Sequence, residues 1–298
     1  MHEVLAGLLG HVQSHLRCSP GRPEVPPHRR VFRGLRNSRH DPHLIMARRR
    51  SLWPREHGAY AQLGAPLLCA LLVRAPTLPA ILLASGAVFA FLANEPLLVL
   101  LGHRGRRMRE TESGRARVRL TCVGSLALLA GVFGLVLGGP RVIVAAGIVA
   151  APALALILFA YRRALHSLRG EILAAVALPG LAVPAGVASG IALGEALLLW
   201  TAWSAAYIAS VVAVQHVIAR HRRAAAVSDR VLAASFFAST LGVALLAMRV
   251  DIALVAIPLL AVTTLIVLFP PRATHLRTVG IALVAMSSIS VALAAAAL

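Results

Sequence analysis

Lysine is absent, cysteine nearly so, and carboxylates are scarce: the 298 residues hold 3 cysteines and 11 Asp and Glu, against 30 arginines. Cys18, Cys69 and Cys122 do not stand at metal-ligand spacing, and the last two sit in apolar runs where a thiol behaves as a small core residue. Neither a disulfide nor a zinc site is expected. Only 14% of residues are charged, 58% are hydrophobic and the mean hydropathy is +0.79, which excludes an ordinary soluble globular protein and predicts an integral membrane protein. The formal net charge of +19 would suggest nucleic acid in a soluble chain. In a membrane protein the same arginines gather in cytoplasmic loops and set the topology, so no nucleic-acid partner is expected.

Residues 1–45, with clusters such as SPGRPEVPPHRR, are too poor in apolar side chains to bury a core and are predicted to be a disordered basic tail. Met46, followed by ARRRSLW and then an apolar run, is the expected natural start, and residues 46–298 form the expected transmembrane domain. Windows of about 20 apolar residues divide this region into nine predicted spans. They run 57–74, 78–101, 119–138, 141–161, 171–193, 196–218, 231–248, 251–269 and 278–297. With the amino terminus inside, the inner segments hold 27 arginines and the outer connections only Arg74, Arg141 and Arg249. The expected fold is therefore an all-α polytopic bundle, amino terminus in and carboxyl terminus out. In AGVASGIALG, Gly186, Gly190 and Gly194 recur every four residues, a spacing that lets helices pack closely. Pro179 and Pro184 in the same span predict a kink.

Polar groups gather on the predicted inner side. His57, His103, His166, His216, His221 and His275 all map there, with Glu56, Glu95 and Glu171. Glu95, beside Asn94 in FAFLANEPLLVLL, lies within an apolar run, where a carboxylate needs a partner or a proton. Gln215 and His216 in SVVAVQHVIAR are placed similarly. The two pairs predict either a shared cytoplasm-facing cavity or separate structural hydrogen bonds. In LWPREHGAY, Pro54 and Glu56 suit a helix start, and Trp53 and Arg55 suit an interfacial anchor; helix starting does not call for His57.

PREHGAY, then FLANEPL with the basic loop GHRGRR, then YRRALHSLRGEILAA, resemble the YwiC-like family of bacterial membrane proteins across about residues 51–298. The most specific piece is EHGA, Glu56 to Ala59, followed by Tyr60 where the family resemblance leads one to expect tryptophan. The resemblance implies a topology and no assigned activity. A more distant likeness, of layout, is to UbiA-type intramembrane prenyltransferases. It is echoed by Asn94, by Tyr161 to Arg163 ahead of the Pro- and Gly-rich fifth span, and by the polar inner end of the sixth. The two aspartate-rich motifs of those enzymes are missing: Leu98 stands four residues after Asn94, and the next acidic residue is Glu110. Magnesium needs several hard oxygen ligands, so a metal-dependent prenyl transfer is disfavoured and no metal site is expected.

The function that these readings favour is binding of a lipidic or isoprenoid-type ligand in a cytoplasm-facing cavity. Arg55, Asn94, Arg106, Arg107, Tyr161, Arg162, Arg163, Glu171 and Gln215 are the candidate ligand-binding residues, and Glu56, His57, Glu95 and His216 the candidate acid–base groups. Arginines can clamp a phosphate or carboxylate without metal. The alternative is a transporter of a small anion or metabolite. It would need polar groups through the outer halves of the spans, where few beyond Arg74, Arg141, Glu195, Arg249 and Asp251 occur. Haem needs axial ligands on facing helices at matching depth, which these histidines do not offer, so no cofactor is expected.

Overall fold

A computed structural model of the chain describes residues 57–165, 167–221, 255–271 and 275–297. They form helices only, all within the compact unit Leu52–Leu298. In chain order these are α1 (His57–Leu72), α2 (Leu78–Leu100), α3 (Arg106–Tyr161), α4 (Leu168–Gly180), α5 (Ala182–Ala188), α6 (Leu193–His221), α7 (Ile257–Leu268) and α8 (Leu276–Ala297). The basic tail, Arg55, Glu56, His166 and the expected span 231–248 lie outside the described residues, as does the side chain of His57. Five helical stretches among the described residues are long and apolar enough to cross a membrane, α4 and α5 counting as one, while α1 and α7 are shorter apolar helices.

The chain folds back within α3. Gly139, at φ 76° and ψ −172°, leaves helical geometry directly before Pro140. A straight helix of this length would separate Arg109 from Arg163 by about 80 Å. Both side chains instead pack over Gly102, so the two halves of α3 run antiparallel from the turn at Gly139. These halves correspond to the expected spans 119–138 and 141–161.

The first half of α3 lies close against α2. A Cβ on Gly86 would come within 3.1 Å of the Gly131 backbone nitrogen, and one on Gly134 within 2.7 Å of Leu83 Cγ. Residue numbers rise on one helix as they fall on the other, as an antiparallel pair requires. The apolar window of α6 is 61% buried and that of α3 only 17%, so α6 is central and α3 forms an outer wall. Leu128, Val136 and Leu154 are exposed on that wall, as side chains facing lipid are.

Three aromatic side chains of α6 tie the core together. Trp203 stacks on Tyr207 with ring centroids 5.5 Å apart. The Tyr207 hydroxyl donates to the Ala61 carbonyl at 2.8 Å and lies 3.5 Å from Ser287 Oγ, linking α6 to α1 and α8. Trp200 Nε1 donates to the Val176 carbonyl of α4 at 2.8 Å. Such bonds fix the orientation of buried aromatics whose polar tips need a partner.

The glycine stripe takes a different form from the one that its spacing suggests. The break expected from Pro179 and Pro184 falls at Leu181, between α4 and α5, and α5 ends at Ala188. Gly190 then sits in a turn at φ 92°, so Gly186, Gly190 and Gly194 do not share one helix face. Of the three, Gly186 makes the close approach, with Ala70 Cβ of α1 3.6 Å from where its own Cβ would stand.

Candidate functional site

The site is built on the way α2 ends. Gly102, at φ 76°, adopts the left-handed conformation that closes a helix. Its N–H donates to the Val99 carbonyl at 3.0 Å, and that of His103 reaches back to Leu98 at 2.9 Å. This double closure turns the chain sharply and folds Arg104 back along α2. Arg104 Nε donates to Glu95 Oε1 at 2.8 Å and Nη2 to Oε2 at 2.5 Å. Glu95 is only 2% exposed and Arg104 24%, so the pair sinks a carboxylate into the helix bundle while its cation still reaches water. The two parallel bonds supply the partner that a buried carboxylate demands.

The end of α3 repeats the same closure with arginine in place of glycine. Arg163 N–H donates to Ala160 at 3.0 Å and Ala164 N–H to Phe159 at 2.9 Å. Arg163 has φ 58° and is the only described non-glycine residue with positive φ. The left-handed region costs an L-residue about 1–2 kcal/mol. That strained turn carries its guanidinium to Gly102. From the point where a Cβ would stand on Gly102, Arg163 Nη2 is 4.0 Å away and Arg109 Nη1 is 3.9 Å away. The two guanidinium groups are therefore less than about 8 Å apart, within one Debye length at physiological ionic strength.

Positive charge is in excess here. Arg106, Arg107 and Arg109 crowd the first turns of α3, where the helix dipole favours anions, and Gly105 at the N-cap offers no side-chain cap. Arg106 binds Glu110 at 2.7 Å, and Arg115 binds Glu112 at 2.7 Å, but these pairs are water-exposed or follow the helix surface and contribute little. Among the described residues, neither Arg109 nor Arg163 has an ion pair with a carboxylate. His103 registers the field: burial first, then the Arg163 and Arg104 guanidinium groups, push its pKa below the ordinary 6.5. An open cleft of about 740 Å³, lined by Leu100, Arg106, Arg109, Glu110, Ser113 and Arg117, runs alongside.

A second polar pair joins α4 to α6. Ser167 caps α4, its oxygen accepting from Gly170 N–H at 3.2 Å, and Glu171 follows in the first turn. Gln215 Nε2 donates to Glu171 Oε2 at 2.7 Å. The neighbouring His216 is 6% exposed, and its Nδ1 has no hydrogen-bond partner among the described residues. A buried nitrogen left in this state costs about 1–3 kcal/mol. A further cavity, about 20 Å³ and lined by Pro66, Cys69 and Trp203 among others, is apolar and too small for an organic ligand.

The candidate residues thus fall into distinct places. Glu95 is clasped by Arg104, and Gln215 by Glu171, so the two polar pairs have separate partners. Tyr60, in T-shaped contact with Phe91 at 5.0 Å, lies within electrostatic reach of Glu95 and Arg119 and brings α1 to the first pair. Asn94 is half-buried; Arg106, Arg107 and Arg162 are exposed; Tyr161 is exposed at the end of α3. Arg55 and Glu56 lie outside the described residues. Sequence reasoning passed over Arg104 and Arg109. The legible signal was GHRG, two glycines bracketing a basic turn at the end of a span that contains a carboxylate. No group of three or more His, Cys, Asp or Glu side chains among the described residues is arranged to hold a metal ion.

No curated protein and no solved structure matches the chain. A family model described as YwiC-like protein matches residues 53–186. The match takes in Glu56 and His57, the Glu95–Arg104 pair, Arg109, Arg163 and Glu171, and stops before Gln215 and His216. Through residues 53–186, somewhat less than half of its length, the chain is similar to the YwiC-like family of proteins.

Proposed function

We propose that this protein is a multi-pass protein of the bacterial cytoplasmic membrane that binds a lipidic or isoprenoid-type ligand from its cytoplasmic face. About nine spans, amino terminus in and carboxyl terminus out, fit the arginine distribution, and the reversal at Gly139 agrees with that path through the third and fourth spans. The observation that carries the reading is the meeting of two basic turns, one ending α2 and one ending α3, over Gly102. They put guanidinium groups at the rim of an apolar bundle, where the polar head of an amphipathic ligand would lie with its tail along exposed side chains such as Leu126, Leu129 and Leu158. Arg106, Arg107, Arg162 and Arg163 are the head-gripping candidates. Glu171 and Gln215 form a second polar contact, between α4 and α6.

The test is lipid mass spectrometry on the purified full-length chain. A specific lipid retained in stoichiometric amount, and lost on Arg162→Ala combined with Arg163→Ala, supports the reading. If no lipid is retained and the substitutions change nothing, lipid binding is wrong and a transporter of a small anion or metabolite becomes the better account.

A further inference from the structure

The meeting of Arg109 and Arg163 over Gly102 is an arrangement that folding alone does not favour. Two like charges are held within a few ångströms of one glycine. One sits in the first turn of a helix, where the dipole repels cations. The other occupies a left-handed backbone conformation that arginine adopts at a cost. No carboxylate among the described residues neutralises either one, although Glu95 is close enough to bind Arg104 of the same turn. Three separate unfavourable features therefore converge on one point, and a single bound anion would relieve two of them. The Ser113 hydroxyl lines the same cleft as Arg109, one helical turn further along α3.

We propose that Arg109 and Arg163, held together over Gly102, form a metal-independent site for a phosphate group. A tetrahedral dianion matches the site on charge and shape: each guanidinium presents parallel donors, and two of them neutralise two charges. Arg104 stays with Glu95 and sets the turn, so it positions the site and does not bind the anion. The phosphate can come from a free ion or from the head of a phosphomonoester lipid. The lipid case rests on the function proposed above, and the free-ion case does not.

The experiment uses the full chain in phosphatidylcholine nanodiscs, titrated calorimetrically with inorganic phosphate. In parallel, nanodiscs with one tenth phosphatidic acid are analysed for retained lipid by native mass spectrometry. Arg109→Ala and Arg163→Gly remove one guanidinium each from different turns, and the glycine keeps the left-handed backbone. Arg141→Ala, exposed at the far turn of α3, is the control. Loss of one charge-assisted fork weakens binding at least about tenfold in both site variants and leaves the control unchanged. Phosphate binding that follows this pattern identifies a free-anion site; phosphatidic acid retention that follows it, without phosphate binding, identifies a headgroup site. The proposal is overturned if the wild type binds neither probe, or if both site variants bind as the control does. Another lipid retained with the site variants unaffected would leave lipid binding standing and remove the phosphate site. Arginine-dependent phosphate binding with no retained lipid would do the reverse.

Discussion

Arg104 holds Glu95 from nine residues further along the chain, through two parallel hydrogen bonds that exist only because Gly102 reverses the backbone between them. The pair couples the end of α2 to the first turn of α3 and keeps a charged carboxylate within an apolar bundle.

Removing the cation alone should be costly. Arg104→Ala leaves Glu95 buried without its partner and is expected to destabilise the fold by about 3 kcal/mol. Arg104→Leu together with Glu95→Leu removes both charges and should recover most of that loss. Thermal unfolding in detergent measures both, and equal losses from the single and double variants would show that the charge pairing is not what matters.

Close approach of α2 and α3 predicts a steric effect. Gly134→Leu drives a side chain into Leu83 and is expected to cost about 2 kcal/mol, whereas Gly124→Leu, whose Cβ direction is open, should be nearly neutral. Unfolding midpoints of the two variants give the comparison, and similar midpoints would contradict the helix pairing.

His103 should titrate below the ordinary histidine value, because burial and the Arg163 and Arg104 charges oppose its proton. Its folded pKa is depressed relative to the unfolded chain. The stabilisation that it gives is therefore present above the unfolded value of 6.5 and is lost as pH falls through the folded pKa. Arg163→Gly removes one of the two charges and should move the titration back up, though not fully, since burial is the larger cause. Nuclear magnetic resonance of labelled histidine follows both curves, and an unmoved curve in the variant would place Arg163 away from His103.

Much of the architecture was legible in composition. Apolar windows of bilayer length and the arginine asymmetry point to a polytopic helical protein, and PREHGAY with FLANEPL pointed to the family. The need of Glu95 for a partner was equally legible, because burial of a lone carboxylate is so costly. Which partner it takes was not legible: Arg104 becomes available only through the left-handed turn at Gly102, a backbone geometry that hydropathy does not encode. The same reason hid Arg109 and its meeting with Arg163, since a residue count can place both on one membrane side but cannot bring them to one glycine. In AGVASGIALG the spacing of four was ambiguous between a helix face and a helix end, and Gly190 took the turn.

The account stands on the reversal at Gly139, which brings two basic turns to one end of the bundle. Spin labels at Arg107→Cys and Arg162→Cys, in a chain whose Cys18, Cys69 and Cys122 are replaced by alanine, test it by double electron–electron resonance. The account predicts a separation below about 30 Å, and a continuous helix with its rise per residue would give about 80 Å, which would contradict it.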